Sequence, residues 1–315
     1  MPKHLGREAW TIPARQFFLV LQGPLPFRQV LLKTRHFAFI IFSYNKLILS
    51  EVKWAKLFIG TSCHASHKTN GLNFSKCIPT FFKKNVNFNI NIFFISHACY
   101  WELIWAHQFC QDWWGAATYA HKLLNESKWS KCFYAYQKAA MMCMVQDDLT
   151  VEEEQEQIEL MTNIPQWKQK IAGKSLPMEK FAIKKSERFL EQGHFLVLPA
   201  LELIYVWNGF QVLGKSWSQI EPMFSLIERH LTRVEEEKDQ RLFYLEDFCL
   251  LTLLKGVCLK HMKSPLQAEE CFQIVSGCKL KKDTYLIPYA NYERALLLKE
   301  QGSFGEALDL LEKTK

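Results

Sequence analysis

Near its end the chain reads Pro288-Tyr-Ala-Asn-Tyr-Glu-Arg-Ala295-Leu-Leu-Leu-Lys-Glu-Gln-Gly302-Ser-Phe-Gly-Glu-Ala307-Leu-Asp-Leu-Leu311. Apolar residues recur at helical spacing on both sides of Gly302, which predicts two helices joined by a tight turn. Small residues such as Ala295 and Ala307 allow two antiparallel helices to cross closely, and Leu311 suits the space beside the crossing. The stretch therefore predicts a helical hairpin, the unit from which helical repeat proteins are built.

The same arrangement recurs earlier in the chain, in Trp113–Gln146 and Phe248–Gly277. A more degenerate copy pairs Leu198–Gly214 with Ile220–Leu231. The pattern is that of a tetratricopeptide unit, which places a small residue where its helices cross and a large apolar residue one turn later. The residues predicted to pack the repeats are Ala120, Cys132, Tyr136, Ala139, Gly209, Gly256, Ala268, Phe272, Ala295, Gly302, Ala307 and Leu311.

Residues 97–315 are therefore predicted to form one all-α domain, a right-handed array of antiparallel helix pairs (an α-α superhelix). Patterns typical of β-strands are nearly absent from it. Ala268 and Ala307 are separated by more than one standard repeat, so we expect a long connection around Ser276–Tyr285. The array is predicted to be truncated inside its last repeat.

Residues 1–96 differ in composition from the rest of the chain. They contain 13 of the 24 phenylalanines, and 13 basic but only 2 acidic side chains, Glu8 and Glu51. Neither a helical nor a strand period persists in them. We therefore predict a poorly ordered basic extension rich in Phe, Asn and Lys.

This basic extension has two alternative interpretations. Basic residues mixed with aromatic ones can stack on nucleic-acid bases or lie at a membrane surface. The cluster Cys63-His64-Ala65-Ser66-His67, with Cys77 beyond it, has zinc-ligating side chains. No helix or strand face organises the first set, and the second lacks a paired zinc knuckle, so we expect no nucleic-acid partner and no metal site.

The cysteines and the apolar stretches indicate the cellular compartment of the protein. The ten cysteines are scattered without a CxxC motif, which favours reduced thiols and a cytoplasmic, intracellular protein. The apolar run Phe17–Leu21 is too short for a secretory signal. The longest apolar stretch, Phe37–Leu49, is interrupted by Asn45 and Lys46 and is shorter than the roughly 18–20 residues that span a bilayer. We therefore expect no transmembrane segment.

The sequence offers little for catalysis. Gly173-Lys174-Ser175 matches the end of a phosphate-binding loop, but Lys168 stands where the motif needs glycine and no apolar strand precedes it. We instead expect Gly173 to end a short helix and Ser175-Leu-Pro177 to begin the next. No GxSxG or HExxH motif is present. We predict no enzyme, no catalytic residue and no cofactor.

Two sets of residues are candidates for partner binding. A predicted basic face, which would suit an acidic partner, consists of Lys180, Lys184, Lys185 and Arg188. The inward faces of the first helices of two repeats carry Leu250, Leu253, Leu254 and Val257, and Tyr289, Tyr292, Glu293 and Leu296. The second set lacks the Lys, Asn and Arg of a carboxylate clamp. It suits a groove for an amphipathic helix or packing in the core, and we favour the core.

Several longer strings are more specific than the generic repeat. They are Cys99-Tyr-Trp-Glu-Leu-Ile-Trp105, Ser127-Lys-Trp-Ser-Lys131 followed by Lys138-Ala-Ala140, Ile171-Ala-Gly-Lys-Ser-Leu-Pro-Met-Glu-Lys-Phe-Ala-Ile-Lys-Lys-Ser186, Leu198-Pro-Ala-Leu-Glu-Leu-Ile-Tyr-Val-Trp-Asn-Gly-Phe210, Leu253-Leu-Lys-Gly-Val-Cys-Leu-Lys260 and Tyr285-Leu-Ile-Pro288. With them, residues 97–315 resemble the tetratricopeptide repeat protein 39 family. Residues 1–96 resemble nothing in that family, whose members also continue beyond the last repeat present here.

The resemblance implies an intracellular helical-repeat scaffold without catalytic chemistry, in a family linked to lipid homeostasis. We therefore predict an adaptor for protein partners, which the sequence does not identify. One alternative is a membrane- or lipid-associated structural protein that makes peripheral contact through residues 1–96. Another is an unstable, non-functional isoform, because an array without its terminal cap exposes apolar surface.

Overall fold

The computed structural model describes residues 92–171 and 174–314. Residues 1–91 of the predicted extension, which include its candidate zinc ligands, lie outside the described residues. Twelve α-helices make up most of the described chain: α1 Ile92–Phe109, α2 Trp113–Glu126, α3 Lys131–Cys143, α4 Val151–Asn163, α5 Pro177–Glu191, α6 Pro199–Val206, α7 Phe210–Leu213, α8 Trp217–Glu236, α9 Tyr244–His261, α10 Pro265–Gly277, α11 Leu286–Glu300 and α12 Phe304–Lys313. The all-α prediction is confirmed.

One short strand pair interrupts the helices. Strand β1 (Lys170–Ile171) pairs antiparallel with β2 (Lys174–Ser175), with Lys170 opposite Ser175. The expected helix end before Gly173 is therefore wrong, because Lys170 and Ile171 form strand β1. The expected start of the next helix is close to the observed one, since α5 begins at Pro177, where a missing N–H costs no intrahelical hydrogen bond.

Local sequence explains where several helices begin. The Asp112 side chain accepts a hydrogen bond from the Gly115 N–H and so caps α2. Ser130 caps α3 in the same way by accepting from the Phe133 N–H. At α4, Thr150 and Glu153 form a complete capping box, which holds the acidic first turn of that helix.

Most helices pack against their neighbours in sequence. The three predicted hairpins appear as α2 with α3, α9 with α10, and α11 with α12. Helix α1 adds to the first of them, and α8 packs along α9. A continuous hydrophobic core runs from Ile104 to Leu297, and a second, smaller core lies between the last two helices around Ala295, Ala307 and Leu311.

Helix α6 departs from the hairpin pattern. Seven of its eight residues, Pro199 to Tyr205, are buried. It packs mainly against α3, α9 and α1. The predicted pairing of Leu198–Gly214 with Ile220–Leu231 is therefore wrong for α6; of the two helices in Leu198–Gly214, only the short α7 makes substantial contact with α8.

Candidate functional site

The residues predicted to pack the repeats lie almost entirely in the interior. All are buried except Gly302, which lies in the exposed turn between α11 and α12 with a φ of +86°. Among the glycines of this set, the closest approach is at Gly256, where an added Cβ would lie 2.6 Å from Cε1 of Phe272. At Gly209 it would lie 2.9 Å from Cγ2 of Ile204 and 3.0 Å from the Phe109 ring. Gly209 therefore lies in a close approach to the end of α1, not to α8.

The predicted basic face on α5 divides into two pairs of side chains. Lys180 and Lys184 are exposed. Lys185 and Arg188 are 1% and 2% exposed. The prediction that all four contact a partner is therefore wrong for Lys185 and Arg188, because these cations point into the protein and are paired there.

The interior partners of Lys185 and Arg188 are three carboxylates. The Lys185 Nζ lies 2.5 Å from a Glu202 carboxylate oxygen and 2.7 Å from Oδ2 of Asp283. Arg188 forms ion pairs with Asp247 and with Asp283. We call Lys185, Arg188, Glu202, Asp247, Asp283 and Arg241 the internal ion cluster; Arg241 Nη1 lies 2.9 Å from Oδ2 of Asp247.

The internal ion cluster contains three cations and three carboxylates, so its formal charges balance. Burial raises the pKa of Glu202 and of Asp247, although the neighbouring cations act in the opposite direction. At Asp283 burial also acts upward, but Lys185 and Arg188 outweigh it and lower the pKa. Because each buried charge has an opposite charge beside it, the cluster avoids the large penalty of an unpaired ion.

The internal ion cluster joins parts of the chain that are distant in sequence. Lys185 and Arg188 lie on α5, Glu202 on α6 and Asp247 on α9. Asp283 comes from the long connection between α10 and α11. In that connection the Lys281 and Lys282 N–H groups donate to Glu246 on α9 at 2.9 and 3.1 Å. The long connection therefore carries an ion-pair partner into the core.

Two further polar contacts hold α6. The Tyr285 hydroxyl donates to Glu202. The Tyr205 hydroxyl donates to Oε1 of Glu293 on α11 at 3.3 Å, and Lys260 on α9 pairs with the other oxygen of Glu293. Helix α6 is thus held by an ion pair to α5 and a hydrogen bond to α11, and Lys260 of α9 pairs with the same Glu293 that accepts from Tyr205.

The inward faces considered as a binding groove lie largely in the core. Leu250, Leu253, Leu254 and Val257 on α9 are all buried, and α6 packs against this helix. On α11, Glu293 is buried and Tyr289 packs edge-on against Tyr205 of α6. Because the chain's own α6 occupies this side of the array, little surface remains there for a partner.

An open groove lies between α8, α9 and α10 instead. It has a volume of about 300 Å³ and is lined by Phe224 and Glu228 of α8, Lys255 and Leu259 of α9, and Gln267, Glu270, Cys271 and Ile274 of α10. We call it the α8–α10 groove. Its apolar residues come from all three helices, so the groove depends on the tertiary packing.

The edges of the α8–α10 groove combine exposed apolar and charged residues. Ile274 lines the groove and is 46% exposed, and Leu266, two turns before it on the same face of α10, is 81% exposed. The Lys255 Nζ lies 2.9 Å from Oε1 of Glu228 and bridges α9 to α8. Burial raises the pKa of the Cys271 thiol, with smaller upward contributions from Glu228 and Glu270, so Cys271 acts there as an apolar residue.

Within the described parts of the chain, no group of three His, Cys, Asp or Glu side chains is arranged to hold a metal ion. Across residues 92–171 and 174–314, no helix combines the length and apolar character needed to cross a bilayer.

Comparison with known proteins identifies the family to which this helical array belongs. The family model for Iml2/Tetratricopeptide repeat protein 39 matches residues 80–262. The chain belongs to this family. It is also 39% identical over 225 residues to tetratricopeptide repeat protein ttc-39B of Caenorhabditis elegans, an alignment that covers 70% of this chain and 37% of the worm protein. The chain thus spans well under half of that relative's length. No solved structure matches it.

Of the expectations from sequence, the extent of the family match bears on the domain boundary. The match begins at residue 80 and the first described helix begins at Ile92, so the family region starts before the predicted boundary at residue 96. It ends at residue 262, so it includes α1 to α9 and most of the internal ion cluster. Asp283 and the α10 wall of the α8–α10 groove lie beyond it.

The sequence interpretation missed the carboxylates of the internal ion cluster and the α8–α10 groove. One indication was present: Glu202 is the only charged residue in the apolar string Leu198–Phe210, which is typical of a buried, paired carboxylate. Leu266 and Ile274 lie eight residues apart on α10, away from the packing residues Ala268 and Phe272. That spacing puts both on one helix face, but it does not show whether another helix covers them.

Proposed function

We propose that this chain is a non-catalytic scaffold that binds protein partners through the α8–α10 groove. The observation that carries the proposal is the exposure of Leu266 and Ile274 beside an open, largely apolar groove. Large aliphatic side chains grouped at a groove are typical of protein interaction sites. Membership of this helical-repeat family also favours a role in protein binding.

The internal ion cluster supports a structural role over a catalytic one. Side chains that take part in catalysis need access to a substrate, whereas the Lys185, Glu202 and Asp247 side chains are 1–2% exposed. Their charges are matched by neighbours, so they have the character of a structural ion-pair network. We therefore propose that the chain is not an enzyme.

The family resemblance also implies a link to lipid homeostasis and a reducing cytoplasmic location. We propose that such an effect would arise through a protein partner, not through lipid binding by the array. Peripheral membrane contact through residues 1–96, and an unstable isoform, remain predictions from the sequence, because the relevant residues lie largely outside the described structure.

The test compares partners of the full chain with those of a groove variant. We expect Ile274→Asp to lose a subset of co-purifying proteins, measured by quantitative mass spectrometry, because it adds a charge to the groove edge. Val151→Asp is the matched control, since Val151 is 77% exposed on α4 and does not line the groove. Identical partner sets for the wild type and Ile274→Asp, with both proteins folded, would rule out this function for the groove.

A further inference from the structure

A row of acidic and apolar residues runs along the face of α8 that includes the groove residues Phe224 and Glu228. Glu221, Phe224, Glu228, Leu231 and Glu235 follow one another at spacings of three and four residues, so they lie on one face of α8. Phe224 and Glu228 of this row line the groove directly. Burial acts to lower the pKa of Lys255, but Glu228 and, more weakly, Glu235 raise it. Glu235 therefore lies near Lys255, which indicates that the row faces α9 along its length. The α8 edge therefore alternates apolar and acidic residues.

The α10 side of the groove also alternates apolar and acidic residues. Leu266, Glu270 and Ile274 are spaced by four residues, and all three are exposed. Glu270 lines the groove, whereas Glu269 beside it is paired with Arg294 of α11 at 2.8 Å. Among the lining residues, Lys255 is the only basic one, and Glu228 neutralises it. The net charge of the groove is therefore negative.

Basic residues of α8 lie away from the groove. Arg233 pairs with Glu237 at 2.9 Å. Burial lowers the pKa of His230, and Arg233 and Arg229 lower it further. Asp147, from the connection that follows α3, acts in the opposite direction, so all three charges lie near His230. The charges of α8 are thus divided between an acidic row along the groove and basic residues on another face. A partner entering the groove therefore meets net negative charge, from Glu270 in the lining and Glu235 further along α8.

The backbone of the groove walls restricts the form of the partner. All three walls are α-helices, whose N–H and C=O groups bond within each helix, so they offer no strand edge. An extended segment bound there would leave its own backbone groups without partners. An amphipathic helix satisfies its backbone internally and can place an apolar face between helices.

We infer that the α8–α10 groove binds an amphipathic α-helix of a partner protein, whose apolar face contacts Phe224, Leu259 and Ile274 and whose flanking residues are Lys or Arg facing Glu235 and Glu270. This inference rests on the proposed scaffold function and adds the chemistry of the partner. The attraction between opposite charges selects basic flanks and makes binding weaker at high salt.

The test uses two synthetic helical peptides of about 18 residues, which is about five turns. Both have the same Leu-rich face, one with Lys flanks and the other with Glu flanks. Binding to the full chain is measured by fluorescence anisotropy at low and high salt. We expect the Lys peptide to bind at least about tenfold more tightly at low salt, and the difference to shrink as salt rises.

Charge-reversal variants locate the effect. Glu235→Lys combined with Glu270→Lys should remove or reverse the preference for the Lys peptide. The matched control is Glu152→Lys combined with Glu154→Lys, which makes the same charge change on exposed positions of α4. Circular dichroism of each variant verifies that the fold is retained.

The outcomes separate this inference from the proposed function. Equal binding of both peptides, or the same loss of preference in the α4 control, would overturn the basic-helix inference. If Ile274→Asp then weakened both peptides equally, the groove would still be a binding site. Failure of both peptides to bind the wild-type chain would also overturn the inference, whereas the scaffold proposal fails only if the cellular partner set is insensitive to Ile274→Asp.

Discussion

Lys185 on α5 and Glu202 on α6 form an ion pair with a 2.5 Å separation in the interior of the protein. Both side chains are almost completely inaccessible to solvent. This pair, with Asp283 and Tyr285 beside it, fixes α6 against the array. Because α6 occupies that side of α9, the open surface for a partner lies on the α8–α10 side.

Removing one member of this pair should strongly destabilise the fold. For Lys185→Met we expect a loss of about 3–5 kcal/mol in the free energy of unfolding, because Glu202 and Asp283 would lose a buried positive partner. Urea denaturation of the full chain measures it. The neighbouring exposed Lys184→Met is the control, and its change should stay within about 0.5 kcal/mol. Equal effects of the two substitutions would contradict the internal ion cluster as described.

The contact between Gly256 and Phe272 predicts intolerance to a single methyl group. Gly256→Ala should destabilise the protein by about 1–3 kcal/mol, because the added Cβ would overlap the buried Phe272 ring. Thermal unfolding measures the loss, and adding Phe272→Leu should recover part of it. Gly305→Ala on α12 is the control, since nothing lies within 4 Å of its added Cβ. A Gly256→Ala protein as stable as the control would show that α9 and α10 cross less closely.

The histidine at the end of α9 predicts how stability depends on pH. Burial, reinforced by Lys260 and opposed by Glu293, lowers the pKa of His261 to about 4 from its ordinary value of 6.5. The unfolded chain therefore binds a proton between pH 6.5 and about 4 where the folded chain does not, so stability falls as pH falls through this window. Urea midpoints at pH 7 and pH 5 should differ less in His261→Gln than in the wild type.

His121 and His230 also have lowered pKa values, so some pH dependence should persist in the variant. An unchanged pH dependence in His261→Gln would mean that His261 is charged or exposed in the folded protein.

Thiol reactivity tests the burial of the first hairpin. Burial raises the pKa of Cys132 to about 12, with Glu179 adding to the shift. Cys110 is exposed in the turn between α1 and α2. At pH 8, iodoacetamide should therefore modify Cys110 much faster than Cys132, as measured by mass spectrometry of digested protein. Similar rates at both positions would show that α2 and α3 do not pack as described.

The sequence predicted the hairpins because their determinants are local. Gly256 with Ala268 and Phe272, or Ala295 with Ala307 and Leu311, lie within one repeat, and their sizes indicate where two helices cross. The position of α6 depends instead on contacts with α5, α9 and a connection about 80 residues further along the chain. No local period contains that information.

The same limit explains the error on α5. A row of basic side chains looks alike in sequence whether water or a distant carboxylate faces it. Lys185 and Arg188 become interior residues only because Glu202, Asp247 and Asp283 arrive from other elements. The α8–α10 groove was missed for a related reason, since three helices build it and each contributes only a few residues.

Hydrogen–deuterium exchange tests most directly whether the α8–α10 groove is the interaction surface. The full chain would be measured with and without the Lys-flanked peptide. We predict slower exchange confined to the three groove helices, residues 217–236 of α8, 244–261 of α9 and 265–277 of α10, with α4 unchanged. Protection elsewhere in the chain, or no protection in α8 and α10 at saturating peptide, would contradict the claim.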